Sequence, residues 1–162
     1  MLIVRQDDLS SEATQSLLAL HLAAMHRNSP PGHVFALDLP GLRQPTVTLW
    51  SAWFGDAIAG IGALKLLGTG IGEVKSMRTH PDHLRKGVGG TILERIIEEA
   101  RSQRCHQLSL ETGTGEAFEA ALALYRKRGF VDGGAFGEYE KSAFNQFLHL
   151  DLTFARRYTA SS

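Results

Sequence analysis

The 162-residue sequence predicts a mixed α/β (α+β) fold built around one central sheet. Two observations carry this prediction: β-rich runs dominate residues 46–79, and after them helical stretches alternate with single strands. A helical crossover joins the strands at 71–79 and 106–111, which makes that pair parallel, whereas hairpins make the earlier strands antiparallel. We therefore expect antiparallel N-terminal strands, a parallel pair at the centre of the sheet, and about four flanking helices.

The N-terminal half supplies most of the antiparallel strands. Its predicted elements are a strand over 2–6, a helix over 11–27, a short helix near 38–42, and strands over 46–54, 57–67 and 71–79. Apolar residues and His21 recur at helical spacing in the first helix, with Ser10 or Ser11 as its N-cap. The prolines of "NSPPG" (28–32) end that helix, and the Gly55-Asp56 pair favours a hairpin between the next two strands.

The C-terminal half alternates helices and strands. Its predicted elements are a helix over 88–104, a strand over 106–111, a helix over 115–128, and a last strand from about Phe147 to 152. An apolar stripe from Val88 to Ala100 indicates which face of the first helix is buried. Basic residues at 126–128, followed by Gly129, are typical of a helix C-terminus. Trp50 and Trp53 should lie on opposite faces of their strand.

Composition limits both the architecture and the partners. The length suits one domain over 1–162, with 153–162 as a C-terminal tail. Lys plus Arg equals Asp plus Glu at 17 each, which argues against nucleic-acid or membrane partners. No apolar stretch approaches the ~20 residues of a membrane span, and Cys105 stands alone, so we expect a cytoplasmic protein.

A glycine-rich loop before the 88–104 helix is the main functional candidate. The N–H groups at a helix start lack partners within the helix, so an anion such as phosphate binds there when the backbone is accessible. Glycines stand at 87, 89 and 90, and the flanking Arg85 and Lys86 add positive charge. A Walker loop is excluded because Thr91-Ile92 replaces its Lys-Ser/Thr, and Ile92 excludes the dinucleotide fingerprint. Close packing of the helix remains the structural alternative.

Two motifs together resemble the GNAT superfamily of acetyl-CoA-dependent N-acetyltransferases. "MRTHPDHLRKGVGG" (77–90) is similar to the family's [QR]-x-x-G-x-[GA] signature and the strand end before it. "ALYRKRGF" (123–130) is similar to its second motif, L-Y-x-x-x-G-F. Leu84 replaces the first signature residue, which weakens a side-chain contact but spares the backbone site. "GEVKSM" (72–77) and "FGEY" (136–139) further resemble small bacterial members of poorly defined substrate.

The resemblance implies a splayed parallel pair that binds acetyl-CoA. The residues expected to hold the cofactor are Met77, Thr79, Arg85, Lys86, Gly87, Val88, Gly89, Gly90 and Thr91. Met77 would offer its backbone N–H to the thioester carbonyl. It also implies Glu73 as general base, directly or through water, and Tyr125 as general acid. On residues alone, Glu73 also suits pairing with Lys75 or Arg78, and Tyr125 suits helix packing.

The acceptor is expected to be a small-molecule primary amine. His33, in the loop after the first helix, and Glu111, at a strand end, are candidate acceptor contacts. Glu73 and Lys75 share a strand face with Met77 unless a bulge breaks the alternation. A metal is not expected, since His80 and His83 lack a third ligand. A non-catalytic acetyl-CoA sensor and a peptide or protein N-acetyltransferase are the alternatives, and a homodimer is a further expectation.

Overall fold

The computed structural model describes residues 1–153 and has the expected mixed α/β fold. The strands are β1 (Leu2–Gln6), β2 (Val47–Phe54), β3 (Ala57–Leu66), β4 (Ile71–Thr79), β5 (Gln107–Gly113), β6 (Val131–Gly133) and β7 (Asn145–Asp151). The helices are α1 (Glu12–Asn28), α2 (Leu39–Leu42), α3 (Val88–Ser102) and α4 (Glu119–Lys127). The predicted tail over 153–162 lies outside the described residues, apart from Thr153.

Within the described residues the seven strands form one sheet in the order β1-β2-β3-β4-β5-β7-β6. Neighbouring strands are antiparallel except β4 and β5, as predicted. Those two pair in parallel only where Ile71–Glu73 faces Gln107–Ser109. Beyond these residues β4 stays on β3 and β5 stays on β7, so the two strands splay and a cleft opens between them.

Two hydrophobic cores cover the two faces of the sheet. One face packs against α3 and α4, and its core includes Trp50, Ile92 and Leu122. The other face packs against α1 and α2, and its core includes Trp53 and Leu17. The prediction that the two tryptophans lie on opposite faces is therefore confirmed, and both are buried.

Helix ends follow local chemistry. Ser11 caps α1 by accepting a hydrogen bond from the Thr14 N–H, as predicted. Gly129 ends α4 with φ +99°, a left-handed conformation that favours glycine. The 115–128 prediction was too long at its start, because a 3₁₀ turn at Glu116–Phe118 precedes α4.

The last strands differ from the prediction. The three-residue β6 was not predicted, since an exposed segment this short leaves no periodic pattern. Strand β7 begins at Asn145 instead of Phe147. The Asn145 side-chain oxygen accepts hydrogen bonds from the Ser142 N–H and hydroxyl at 2.8 and 3.1 Å, which fixes the preceding turn.

No helix within residues 1–153 has both the length and the apolar character needed to cross a membrane.

Candidate active site

The cleft between β4 and β5 gathers residues from both halves of the chain. Its cavity volume is about 150 Å³. The residues whose side chains matter most below are His21, Ser76, Met77, Arg78, Glu111 and Tyr125, and all of them line it. A neighbouring cavity of about 650 Å³ lies beside it, with Glu73 and Tyr139 in its wall. Phe35, Ala36 and Lys75 line both cavities and therefore separate them.

A bulge in β4 decides which side chains face each side of the sheet. Ser76 has φ +59°, and the register between β3 and β4 shifts at the same level. Before the bulge, Val74 packs in the α3 core and Lys75 points to the α1 face. After it, Met77 packs against the α3 core and Arg78 contacts α1. The simple alternation therefore fails, and Met77 does not share a face with Lys75.

The start of α3 has several features that favour an anion. Gly87 occupies the N-cap with φ +78°, and no side chain caps the helix. Arg85 also has a positive φ of 62°, and both Arg85 and Lys86 are exposed. Thr91 bonds back to the Gly87 carbonyl, but the N–H groups at positions 88–90 have no acceptor within the helix. Unpartnered N–H groups, a helix dipole and two cations thus meet at one place.

Glycine stands at three positions of this loop for different physical reasons. A Cβ on Gly90 would lie 2.7 Å from Arg128 Nη2, and one on Gly89 would lie 3.1 Å from Leu124 Cδ2. Close packing against Leu124 and Arg128 is therefore one reason for glycine at these two positions. A Cβ on Gly87 would meet no atom within 4 Å, so backbone conformation is the reason for glycine there. Thr79 lies against the same turn, 3.7 Å from the position of a Gly89 Cβ.

Glu73 lies in a buried hydrogen-bonded network. Its carboxylate is 4% exposed and accepts Lys75 Nζ at 3.2 Å. The Tyr139 hydroxyl also donates to it, and Lys75 Nζ lies 2.8 Å from that hydroxyl and 3.1 Å from the Phe35 carbonyl. Burial, followed by the Glu73 charge, holds the pKa of Tyr139 well above its ordinary value. The pairing of Glu73 with Lys75, one of the two partners considered from sequence, is confirmed.

Tyr125 reaches the cleft from the last turn of α4. Its ring packs against Phe130 at a centroid distance of 5.6 Å, and the side chain is buried. Burial raises the pKa of the Tyr125 phenol above 10, although the Arg78 charge opposes the shift. The phenol therefore keeps its proton at neutral pH. Tyr125 is a packing aromatic whose protonated phenol lies in the cleft wall.

The two predicted acceptor contacts lie in different surroundings. Glu111 lines the cleft, and burial raises its pKa to about 7, opposed by Lys75 and a hydrogen bond with Asn145. His33 packs against Phe35 and Phe144 at centroid distances of 6.5 and 5.9 Å. The Phe35 side chain lines the cleft, whereas the His33 ring does not.

Four residues of the site were not predicted as such from the sequence. They are His21, Lys75, Arg78 and Tyr139. Arg78 Nε donates to His21 Nδ1 at 3.0 Å, which ties β4 to α1. Burial, followed by the charges of Arg78 and Lys75, lowers the pKa of His21 to about 4. A polar residue within the apolar stripe of α1, and the "FGEY" stretch at 136–139, were the available signals.

Potential metal ligands do not cluster in the described part of the chain: residues 1–153 contain no group of three His, Cys, Asp or Glu able to hold a metal ion.

Comparison with known proteins identifies the family. Residues 14–130 match the model of the acetyltransferase (GNAT) family. The chain is 48% identical to the uncharacterized N-acetyltransferase YedL of Escherichia coli, over 94% of this chain and 96% of that protein. It is 46% identical to the uncharacterized N-acetyltransferase YsnE of Bacillus subtilis, over 90% and 96%. The chain belongs to the GNAT family, and it is an acyltransferase.

Solved structures share the fold. A Klebsiella pneumoniae protein assigned as an acyl-CoA N-acyltransferase superposes with a TM-score of 0.79 at 28% identity, covering 94% of this chain and 98% of that one. A Bacillus subtilis acetyltransferase in complex with CoA superposes with a TM-score of 0.68 at 20% identity, covering 93% and 99%. The predictions of family and fold are thereby confirmed.

Proposed function

We propose that the protein transfers the acetyl group of acetyl-CoA to a primary amine of a small molecule. The observation that carries this proposal is the course of the cleft. It runs between β4 and β5, and its wall contains Tyr125 and the bulge at Ser76. The uncapped start of α3 packs near Thr79, the last residue of β4, and near Leu124, which precedes Tyr125 in α4. In our proposal the start of α3 binds an anion and Tyr125 of α4 donates a proton, at the two helices that flank the splayed strands.

The residues at the start of α3 fit the diphosphate of coenzyme A. Free N–H groups at 88–90 and the charges of Arg85 and Lys86 complement a phosphate anion, and Gly87 leaves the approach open. Acetyl-CoA supplies an activated acyl group as a thioester. In our proposal the Met77 N–H, at the bulge, polarises the thioester carbonyl.

Acid–base chemistry accompanies the transfer. A neutral amine forms the new C–N bond while the C–S bond breaks, and the Tyr125 phenol protonates the departing thiolate. The amine loses a proton, for which we propose Glu73 as the general base. Glu73 Oε2 already accepts bonds from Lys75 and Tyr139, and Glu73 lies in the wall of the neighbouring cavity. These contacts favour proton transfer through water over direct transfer.

The loop after α1 favours a small acceptor over a peptide. Its Phe35 carbonyl accepts a bond from Lys75 Nζ at 3.1 Å, and the Phe35 ring packs edge-on against Tyr139 at 5.4 Å. The loop is therefore fastened across the α1 side of the cleft. This covering leaves little room for an extended chain.

A thiol-release assay with acetyl-CoA, across amines, amino acids and peptides, tests the proposal. We expect free CoA to appear with a small amine and not with peptides. CoA binding without thiol release from any acceptor would favour the sensor alternative. Release with peptides alone would favour a peptide or protein acetyltransferase.

A further inference from the structure

Arg78 is a partly buried cation on the α1 side of the cleft. Its hydrogen-bond partner is the His21 imidazole, at 3.0 Å, and no carboxylate within residues 1–153 forms an ion pair with it. Burial and the nearby Arg27 charge lower its pKa, but a guanidinium remains protonated at neutral pH. A charge held this way has lost part of its hydration without gaining a counter-ion.

His21 orients Arg78 without neutralising it. The imidazole accepts the Nε–H through Nδ1, and its pKa of about 4 keeps it neutral. A carboxylate in the same place would satisfy the guanidinium charge. A neutral acceptor fixes the plane of the guanidinium and leaves the charge of its terminal nitrogens available, in the geometry that binds carboxylates in pairs of hydrogen bonds.

Glu111 is the complementary group in the same cleft. It forms no ion pair within residues 1–153, and burial disfavours its charged form. Lys75 is a nearby cation, but its ammonium already binds Glu73, Tyr139 and the Phe35 carbonyl. Within residues 1–153 the cleft therefore contains one cation, Arg78, and one carboxyl group, Glu111, that lack an ion-pair partner.

A third polar group in the cleft also lacks a protein partner. The Ser76 hydroxyl is buried, with the residue only 7% exposed, and it has no hydrogen-bond partner in the described chain. Ser76 lines the cleft and holds the left-handed conformation of the bulge. Buried hydroxyl groups are normally hydrogen-bonded, so a ligand in the cleft is a natural partner.

We propose that the acceptor is a small amino carboxylate, with its carboxylate bound by Arg78 and its amine held by Glu111. Ser76 then hydrogen-bonds to the same ligand, and His21 is the positioning residue for Arg78. A zwitterion offers a carboxylate to Arg78 and an ammonium group to Glu111, whereas a simple amine would leave Arg78 without a counter-ion. The assignment deepens the proposed function and rests on it for catalysis, but not for binding.

Matched acceptors test the assignment. Each common amino acid is compared with its own carboxamide in the thiol-release assay. We expect wild type to prefer the carboxylate of at least one pair by about tenfold or more in kcat/KM. Arg78→Gln should abolish this preference through KM, while Arg95→Gln, an exposed residue of α3, keeps it. The affinity for CoA, measured by calorimetry, should be the same in all three proteins.

His21 variants separate positioning from simple packing. His21→Ala should raise KM for the amino acid while leaving KM for its carboxamide unchanged. His21→Asn presents an amide oxygen near the position of Nδ1, so it should restore part of the lost KM. Equal losses on the acid and the carboxamide, with no rescue by Asn, would overturn the role of His21.

The outcomes distinguish this proposal from acetyl transfer itself. Equal kcat/KM for the acid and the carboxamide in wild type would overturn the carboxylate assignment while leaving transfer intact. A parallel loss of CoA affinity in Arg78→Gln would also overturn it, because Arg78 would then be a cofactor contact. If no amine releases thiol, transfer fails, and the same amino acids are titrated into CoA-saturated protein. A heat of binding with wild type but not with Arg78→Gln would support the assignment. The absence of a heat of binding with wild type would overturn it.

Discussion

The hydroxyl of Tyr139 donates a hydrogen bond to the buried carboxylate of Glu73, which stands 66 residues earlier in the chain. Lys75 bonds both groups, so a loop after β6 and the central strand β4 share one charged network. Removal of a single member of such a network deprives the other buried groups of one of their partners, and this can cost more than the bond itself.

Glu73→Gln should lower kcat by at least about tenfold, because general bases contribute about 10²–10⁴ in rate. The amide keeps the shape of the side chain but leaves the Lys75 charge unmatched, so the free energy of unfolding should also fall, by about 1–3 kcal/mol. Thiol release is measured well below the unfolding temperature, with CoA affinity as a check on the fold. Glu98→Gln, an exposed change on α3, is the matched control. Wild-type turnover in Glu73→Gln would remove Glu73 from the mechanism.

Tyr125→Phe should reduce turnover by about tenfold or more and leave CoA binding unchanged. The ring still packs on Phe130, so only the proton of the phenol is lost. Pre-steady-state thiol release and calorimetry with CoA measure the two quantities. If turnover is normal and only the unfolding temperature changes, Tyr125 is a packing aromatic alone.

Stability should depend on pH through Glu111. The folded protein binds this proton more tightly than the unfolded chain, since burial raises the pKa from 4.5 to about 7. The stabilising contribution is fully present below pH 4.5 and is lost as pH rises through about 7. The unfolding temperature of wild type, measured relative to that of Glu111→Gln, should therefore fall between about pH 5 and about pH 8.

His21 affects the pH dependence of stability in the opposite direction to Glu111. The effect of Glu111 is therefore measured as the difference between wild type and Glu111→Gln, and not from the wild-type curve alone. Its pKa falls from 6.5 to about 4 on folding, which means that its contribution is present above pH 6.5 and is lost as pH falls toward 4. Thermal unfolding of both proteins over this range measures the difference. Parallel curves for wild type and Glu111→Gln would contradict the raised pKa of Glu111.

Gly87→Ala should weaken CoA binding by about fivefold or more, which is about 1 kcal/mol. A Cβ in the left-handed conformation strains the turn that aims the N–H groups of α3. Gly68→Ala is the matched control: Gly68 has φ +81° against +78° for Gly87, and neither Cβ would meet an atom within 4 Å. Both variants should lose similar stability, but only Gly87→Ala should lose affinity. Equal CoA affinities would place the phosphate elsewhere.

Local signals in the sequence were sufficient for most of the secondary structure, but not for β6 or for the first residues of α4 and β7. Periodic apolar residues predicted α1 and α3, and the Gly55-Asp56 turn predicted the β2–β3 hairpin. The parallel pairing of β4 and β5 followed from the crossover between them. The position of Gly87 directly before α3 was also predictable, because the apolar stripe of that helix begins at Val88.

Contacts between distant segments were not predictable in the same way. Arg78 faces His21 because one bulged residue, Ser76, reverses the alternation of β4, and a serine gives no local signal of a left-handed backbone. Gly89 and Gly90 were predicted as part of a phosphate loop, and the nearby Leu124 and Arg128 side chains give a second reason for glycine there. These contacts depend on how distant helices and strands pack against each other, which only the folded structure shows.

The short pairing of β4 with β5 has a consequence for how a ligand and the protein stabilise one another. Only three residue pairs join the two halves of the sheet, so along the rest of the seam facing amide groups lie too far apart to bond. An extended molecule that carries amides of its own, as the pantetheine arm of coenzyme A does, can form hydrogen bonds with the facing edges of both strands. We expect bound coenzyme A to make the two halves of the sheet unfold as one cooperative unit. Slower hydrogen exchange of the backbone amides in β4 and β5 would show this.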